Sequence, residues 1–256
     1  MATAPTLPHV RRPLAGLLLL GLLLIGSGAC ADSWTTPHTL EVAGATRTYY
    51  LHVPRTAAEA TDPPLLVLLH PTGGDGRYML REWMPTAERE GIVLLAPNAT
   101  TPAGWRLRED GPQYLRQVIE AIATTTRFNP RRMYLFGYSA GAIHTLTVGM
   151  LESEYFAAIA LYAGAWRDRE SLATTRLADR RIPVAMFVGD HDEEFSMDSV
   201  TATRSALVRA GHRVQLTILP GQGHVYPGAS SGVDREAWAF LKAVELPEAP
   251  RFKAYQ

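Results

Sequence analysis

The chain has 256 residues, 46% hydrophobic and 20% charged, with 25 basic residues balanced by 25 acidic ones. That is the size of one large α/β domain, with enough apolar side chain for a substantial core. A balanced charge removes the electrostatic case for nucleic acid as a partner.

The first stretch reads as an export signal. Arg11-Arg12 precede a nearly all-leucine run, Leu14 to Ile25, which ends in Gly26-Ser27-Gly28-Ala29-Cys30-Ala31. A basic start, a short apolar core and a small-residue exit mark a secretory leader. The run is too short for a comfortable membrane span. Two processing routes are open. Ala29-Cys30-Ala31 fits an A-x-A cleavage site that leaves a protein starting at Asp32. Ser27-Gly28-Ala29-Cys30 resembles a bacterial lipobox with Cys30 as the lipidated N-terminus, although Ser27 stands where a branched aliphatic residue is usual. The arginine pair also raises twin-arginine export, which Pro13 and the flanking residues fit poorly. The expected organisation is a leader over 1–31 and one catalytic domain over 32–256. The expected location is secreted or periplasmic, with membrane contact only through lipidation of Cys30. Setting aside residues 1–30 removes two basic residues and no acids. Cys30 is the chain's one cysteine, so no internal disulfide supports the fold in an oxidising compartment.

Beyond the leader, His38 to Val42 and Thr46 to Val53 read as paired strands around the turn Ala43-Gly44-Ala45. Thr56 to Pro64 reads as a connection. Leu65 to Leu69 is a continuous apolar run, expected of a parallel strand buried on both faces, and it ends in His70-Pro71-Thr72-Gly73-Gly74. A helix is predicted over Tyr78 to Glu90, stopped by Gly91, and a strand over Ile92 to Ala96. Pro97 to Gly111, which contains Trp105, reads as irregular. Leu115, Val118, Ile119 and Ile122 recur at helical spacing within Gln113 to Thr125. Further strands are predicted at Met133 to Phe136, Phe156 to Tyr162, Ile182 to Val188 and Val214 to Leu219. Helices are predicted at Ala140 to Leu151, Ser199 to Ala210 and Val233 to Val244. Strands alternating with helices predict an α/β fold, a mostly parallel sheet covered on both faces.

Gly137-Tyr138-Ser139-Ala140-Gly141 lies between a predicted strand and a predicted helix. In that context G-x-S-x-G describes a nucleophile elbow, a turn so tight that side chains beside the serine would clash. The bland alternative is a Gly/Ser-rich turn that only starts a helix. A serine hydroxyl needs a base, and the base needs an orienting carboxylate. In the α/β-hydrolase arrangement they follow in the order Ser, Asp or Glu, His, each after a strand. After Val188 comes Gly189-Asp190-His191-Asp192-Glu193-Glu194, and after Leu219 comes Pro220-Gly221-Gln222-Gly223-His224. Ser139 and His224 are therefore the candidate nucleophile and base. Asp192 is preferred as the acid, then Asp190, with Glu193 and Glu194 behind. His191 is a rival base but precedes the acid. His144 is expected beside the elbow, and His38, His52 and His212 are expected to be structural or exposed. The oxyanion donors are expected to be the Ala140 N–H and one N–H from the loop after Leu69. Pro71 has none, which leaves Thr72, with Gly73 in reserve. Trp105, Trp166 and Tyr226 are candidates for lining the acyl site, against ordinary core packing. No cofactor is expected, and no cluster has metal-ligand spacing.

These residues resemble the secreted polyhydroxybutyrate-depolymerase and feruloyl or acetylxylan esterase branch of the α/β-hydrolases. The resemblance rests on Arg47 to Pro54, His70 to Gly74, Asn129-Pro130-Arg131-Arg132 leading to the elbow, and Gly223-His224-Val225-Tyr226-Pro227-Gly228. It implies that the acid lies in a Gly-x-x-Asp element, which Gly189 to Asp192 matches, favouring Asp192. The chain departs from that pattern at His70-Pro71-Thr72, where His-Gly-Cys is common. Val188 stands before the acid element in place of histidine, and Tyr226 stands in place of tryptophan. The expected activity is that of a serine esterase acting on small or polymeric esters through an acyl-enzyme. The competing expectations are a peptidase of prolyl-oligopeptidase type, which usually carries a large gating domain, and a non-catalytic lipid-anchored protein on a hydrolase fold.

Overall fold

The computed structural model describes Met1, residues 35–228 and residues 231–253. The expectations for Arg11 to Asp32, Cys30 included, lie outside these residues. The chain divides into two units, Met1–Ala31 and Asp32–Gln256, and the elements named below belong to the second.

In chain order they are β1 (His38–Val42), β2 (Ala45–His52), α1 (Arg55–Glu59), β3 (Leu65–Leu69), α2 (Gly76–Glu90), β4 (Val93–Pro97), α3 (Leu107–Asp110) and α4 (Pro112–Ala123). Then follow β5 (Met133–Tyr138), α5 (Ala140–Leu151), β6 (Ala158–Tyr162), α6 (Arg169–Ala173), β7 (Val184–Gly189), α7 (Met197–Arg209), β8 (Val214–Leu219) and α8 (Val233–Leu241). The sheet runs β1-β2-β4-β3-β5-β6-β7-β8. β1 and β2 are antiparallel to their neighbours, and β3 to β8 are parallel. The α/β class and the mostly parallel sheet expected from the sequence are what the structure shows.

The inner strands are buried along their whole length because both faces are covered. In β3, Leu65, Val67 and Leu69 belong to the core shared with α4, α5 and α7, whereas Leu66 and Leu68 belong to the core shared with α2 and α8. This two-period alternation explains the unbroken apolar run. β3 connects to β4 on one side, and the sheet then grows through β5 on the other. Open α/β sheets bind ligands in the crevice at such a reversal, beyond the strand C-termini. The loops after β3 and β5 meet there.

Four short elements differ from the sequence expectations. The connection after β2 contains α1, and the segment Pro97 to Gly111 contains α3; each is too short to show a period. Between β6 and β7 lie α6 and a 3₁₀ turn, Thr174–Leu177. Asp168 caps α6, accepting the Ser171 N–H at 2.7 Å. Asp168 before Arg-Glu-Ser was the local signal for it.

Candidate active site

β5 ends in the elbow. Ser139 adopts φ 56° and ψ −117°, one of three non-glycine residues with positive φ among the described residues. The flanking glycines are required by close approach. A Cβ on Gly137 would lie 2.1 Å from the Gly141 carbonyl oxygen, and one on Gly141 would lie 2.1 Å from the Leu69 carbonyl oxygen. These are backbone obstacles that cannot move aside. The Ser139 N–H is held by the Tyr162 carbonyl at 3.1 Å, and the strained turn lifts the hydroxyl above the sheet.

The loop after β8 brings His224 over the elbow, with Nε2 2.9 Å from Ser139 Oγ. The loop after β7 brings Asp192 behind the ring, with its carboxylate oxygens 3.1 and 3.2 Å from Nδ1. The Asp192 side chain is fully buried and that of His224 is 23% exposed, so the carboxylate is sheltered while the imidazole faces the solvent side. Asp192 Oδ1 also accepts the Glu194 and Phe195 N–H groups, each at 2.9 Å. Phe195 stacks on the His224 ring at 5.7 Å.

The other carboxylates of that loop point elsewhere. Asp190 is exposed and accepts the Gly221 N–H at 2.7 Å, which ties the acid loop to the histidine loop. Glu193 and Glu194 are exposed, as is His191. Two tyrosines at the strand ends hold the histidine loop. Tyr138 donates to the His224 carbonyl at 3.2 Å, and the Tyr162 hydroxyl lies 3.1 Å from the carbonyls of Gly223 and Val225. Burial pushes both phenols up from their ordinary values, so they stay protonated donors. These supports sit in strands that read simply as apolar runs.

Thr72 and Ala140 border one spot. A Cβ on Gly104 would lie 3.4 Å from Thr72 Oγ1 and 3.5 Å from the Ala140 Cβ. The Gly73 N–H is already donated to Pro102 O at 2.8 Å, whereas the Thr72 and Ala140 N–H groups meet no acceptor among the described residues. Gly73 is thereby removed as the reserve donor.

Two of the three aromatic candidates for the acyl site are buried. Trp166 is 2% exposed within the core, its indole N–H 3.4 Å from Thr147 Oγ1. Tyr226 is 5% exposed, its ring packed 5.5 Å from Tyr138 and 5.1 Å from Tyr162. Its buried hydroxyl has no hydrogen-bond partner among the described residues, and burial holds its pKa well above the ordinary phenol value. Trp105 is half-buried, and its indole N–H donates to the His70 carbonyl at 2.8 Å. Trp105 and Tyr226 pack against the elements around the serine, and Trp166 belongs to the core. The open cleft beside the elbow, about 720 Å³, is lined instead by Pro71, Thr72, Asp75, Tyr78, Arg81 and Tyr138. Val225, next to the histidine, is 71% exposed. Residue type suggested aromatics, but only packing distinguishes lining from support.

The remaining histidines have other partners. His144 is buried with Nε2 2.9 Å from the Asp110 carbonyl. His38 stacks on Tyr49, His52 meets Glu88 at 2.8 Å, and His212 meets the Ile182 carbonyl at 3.0 Å. Among the described residues no group of three or more His, Cys, Asp or Glu could hold a metal ion.

Residues 96–245, from the end of β4 through α8, match the Dienelactone hydrolase family. The chain belongs to that family. It thus lies within the α/β-hydrolase superfamily, as its motifs led one to expect. Among similar proteins, the putative esterase NocK of Nocardia uniformis subsp. tsuyamanensis is 31% identical over 146 residues, covering 52% of this chain and 42% of that protein. The bifunctional acetylxylan esterase/xylanase XynS20E of Neocallimastix patriciarum is 25% identical over 161 residues, covering 61% of this chain and 23% of that protein. The chain therefore spans less than half the length of these curated relatives. A solved ferulic acid esterase superposes with a TM-score of 0.64 at 16% identity, over 81% of this chain and 97% of that one, which is a likeness of fold.

Proposed function

We propose that this dienelactone-hydrolase family member is a carboxylic ester hydrolase working through an acyl-enzyme on Ser139. The observation that carries the reading is the continuous contact from Ser139 Oγ through His224 to the buried Asp192 carboxylate. In the first half-reaction, Ser139 Oγ attacks the ester carbonyl while His224 Nε2 takes its proton. Asp192 holds the Nδ1–H tautomer and stabilises the imidazolium. The Thr72 and Ala140 N–H groups receive the charge that develops on the carbonyl oxygen. His224 then returns the proton to the leaving alcohol. In the second half-reaction His224 activates water, which attacks the acyl-enzyme and releases the acid.

The acyl group enters the cleft lined by Pro71, Thr72, Tyr78 and Tyr138. We assign it to short acyl or hydroxycinnamoyl esters, free or on a polymer, a class supported by the names of the acetylxylan and ferulic acid esterases it resembles. The leader over residues 1–31 supports export, with Cys30 either removed or lipidated.

Matched p-nitrophenyl esters and p-nitroanilides of the same acyl groups test the reaction class. Turnover of acetyl and feruloyl esters, with anilides slower by orders of magnitude, is the expected outcome. Comparable anilide turnover would make the protein a peptidase, and no turnover of either would make it a binding protein.

A further inference from the structure

The oxyanion loop is held from behind by a second loop, and the bonds fall on either side of the donor peptide. The Thr72 N–H belongs to the peptide between Pro71 and Thr72. Just before that peptide, the His70 carbonyl accepts the Trp105 indole N–H at 2.8 Å. Just after it, the Gly73 N–H donates to Pro102 O at 2.8 Å. The Ala99 N–H donates to His70 Nε2 at 3.0 Å. His70 is therefore the neutral Nδ1–H tautomer, and Nδ1 is 2.8 Å from the Pro71 carbonyl. The donor peptide's own carbonyl, Pro71 O, accepts the Gly74 N–H at 3.0 Å, and the loop over 99–106 adds a hold on either side of that peptide.

One buried carboxylate keeps that loop in place. Asp110, 0% exposed, accepts the Thr100 N–H and hydroxyl on Oδ1 at 2.8 and 2.6 Å, and the Arg106 N–H on Oδ2 at 2.8 Å. The two ends of the loop are thereby closed onto a single side chain, which Arg47 neutralises at 2.6 Å. The Asp110 carbonyl is tied to His144 on the elbow helix. Trp105 lies between two histidine rings, with centroids 4.9 Å from His70 and 5.2 Å from His144. Serine helix, oxyanion loop and rear loop are joined through this one indole.

We propose that Trp105 is a positioning residue that aims the Thr72 N–H at the oxyanion, anchored by Asp110, and that it does not contact substrate. The inference rests on the serine-hydrolase reading and deepens it. An interaction that fixes a transition-state donor acts on kcat and is indifferent to the acyl group. A substrate-lining tryptophan would act on KM and discriminate among acyl groups.

Trp105→Phe keeps a ring between the histidines and removes only the indole N–H. Losing an entire oxyanion donor costs about 10²–10³ in kcat; loosening one is expected to cost about tenfold. That factor is expected to be the same for acetyl, butyryl and feruloyl esters, with KM within about twofold of the parent. A boronic acid inhibitor, a tetrahedral mimic, is expected to bind more weakly by a similar factor. Asp110→Asn tests the anchor: if it folds, its loss and that of Trp105→Phe are expected to be less than additive, because both act through one loop. If it does not fold, Trp105→Phe alone decides. Unchanged kcat, or a KM effect that varies with acyl group, overturns the proposal. Should Ser139→Ala be inactive while Trp105→Phe behaves as the parent, the positioning role fails and the esterase stands. Should Ser139→Ala stay active, the esterase reading itself fails.

Discussion

Replacing Asp192 by asparagine probes the site through one proton. Both backbone donors, the Glu194 and Phe195 N–H groups, converge on Oδ1 at 2.9 Å. An asparagine must therefore turn its carbonyl oxygen toward them, which leaves its NH₂ facing His224 Nδ1. That nitrogen can then only accept, so the ring proton moves to Nε2 and points at Ser139 Oγ, 2.9 Å away. The base is blocked while the geometry survives. In the serine-protease triad the equivalent change lowers kcat by about 10⁴, about 5.4 kcal/mol in barrier at 1.36 kcal/mol per decade. The expected loss here is of that order, measured as kcat on p-nitrophenyl acetate at pH 7.5, with thermal stability near the parent's. Asp190→Asn is the control: its amide oxygen can still accept the Gly221 N–H, and activity is expected within about threefold, as befits a surface change. An Asp192→Asn enzyme within tenfold of the parent would refute the tautomer argument.

Other outcomes follow from packing and charge. Gly141→Ala places a methyl 2.1 Å from the Leu69 carbonyl oxygen, and a loss of about 1–3 kcal/mol or more is expected in urea denaturation; parental stability would mean the elbow is looser than described. Tyr226→Phe removes a buried hydroxyl that has no partner among the described residues, so stability equal to or above the parent's is expected, with an unchanged acyl-group profile. A shifted profile would return Tyr226 to the substrate site. Burial lowers the pKa of His70, His144 and His212, so below the ordinary value of about 6.5 the unfolded chain binds protons that the folded chain resists. Stability is expected to be complete above that pH and to fall between about 6.5 and 5, before the carboxylates titrate near 4. Equal urea midpoints at pH 7 and 5.5 would contradict this.

Much of the fold was legible because parallel strands buried on both faces leave unbroken apolar runs such as Leu65 to Leu69 and Val184 to Val188. Ser139 and His224 could be singled out because the elbow needs a sequence-local glycine pattern and the chain order places the base, whereas Asp192 was favoured over Asp190 by the resemblance to a Gly-x-x-Asp element. What failed was any judgement that depends on which way a side chain faces. Trp166 and Tyr226 have the residue types of a substrate wall, yet both sit in loops that pack them into the interior. The Arg47–Asp110 pair links residues far apart in the chain, with no periodicity to announce it. Asp110 simply closes a segment that reads as irregular. The Gly73 N–H fell out as a donor only because Pro102, in a loop with no sequence signature, takes it.

The central claim is that the Ser139 hydroxyl is the activated nucleophile. Incubating the protein with a fluorophosphonate and measuring intact and peptide masses tests it directly. One adduct per chain is expected, on the peptide containing Ser139, absent from Ser139→Ala and formed far more slowly in His224→Ala. No adduct, or an adduct elsewhere while Ser139→Ala keeps its ester hydrolysis, would contradict the account.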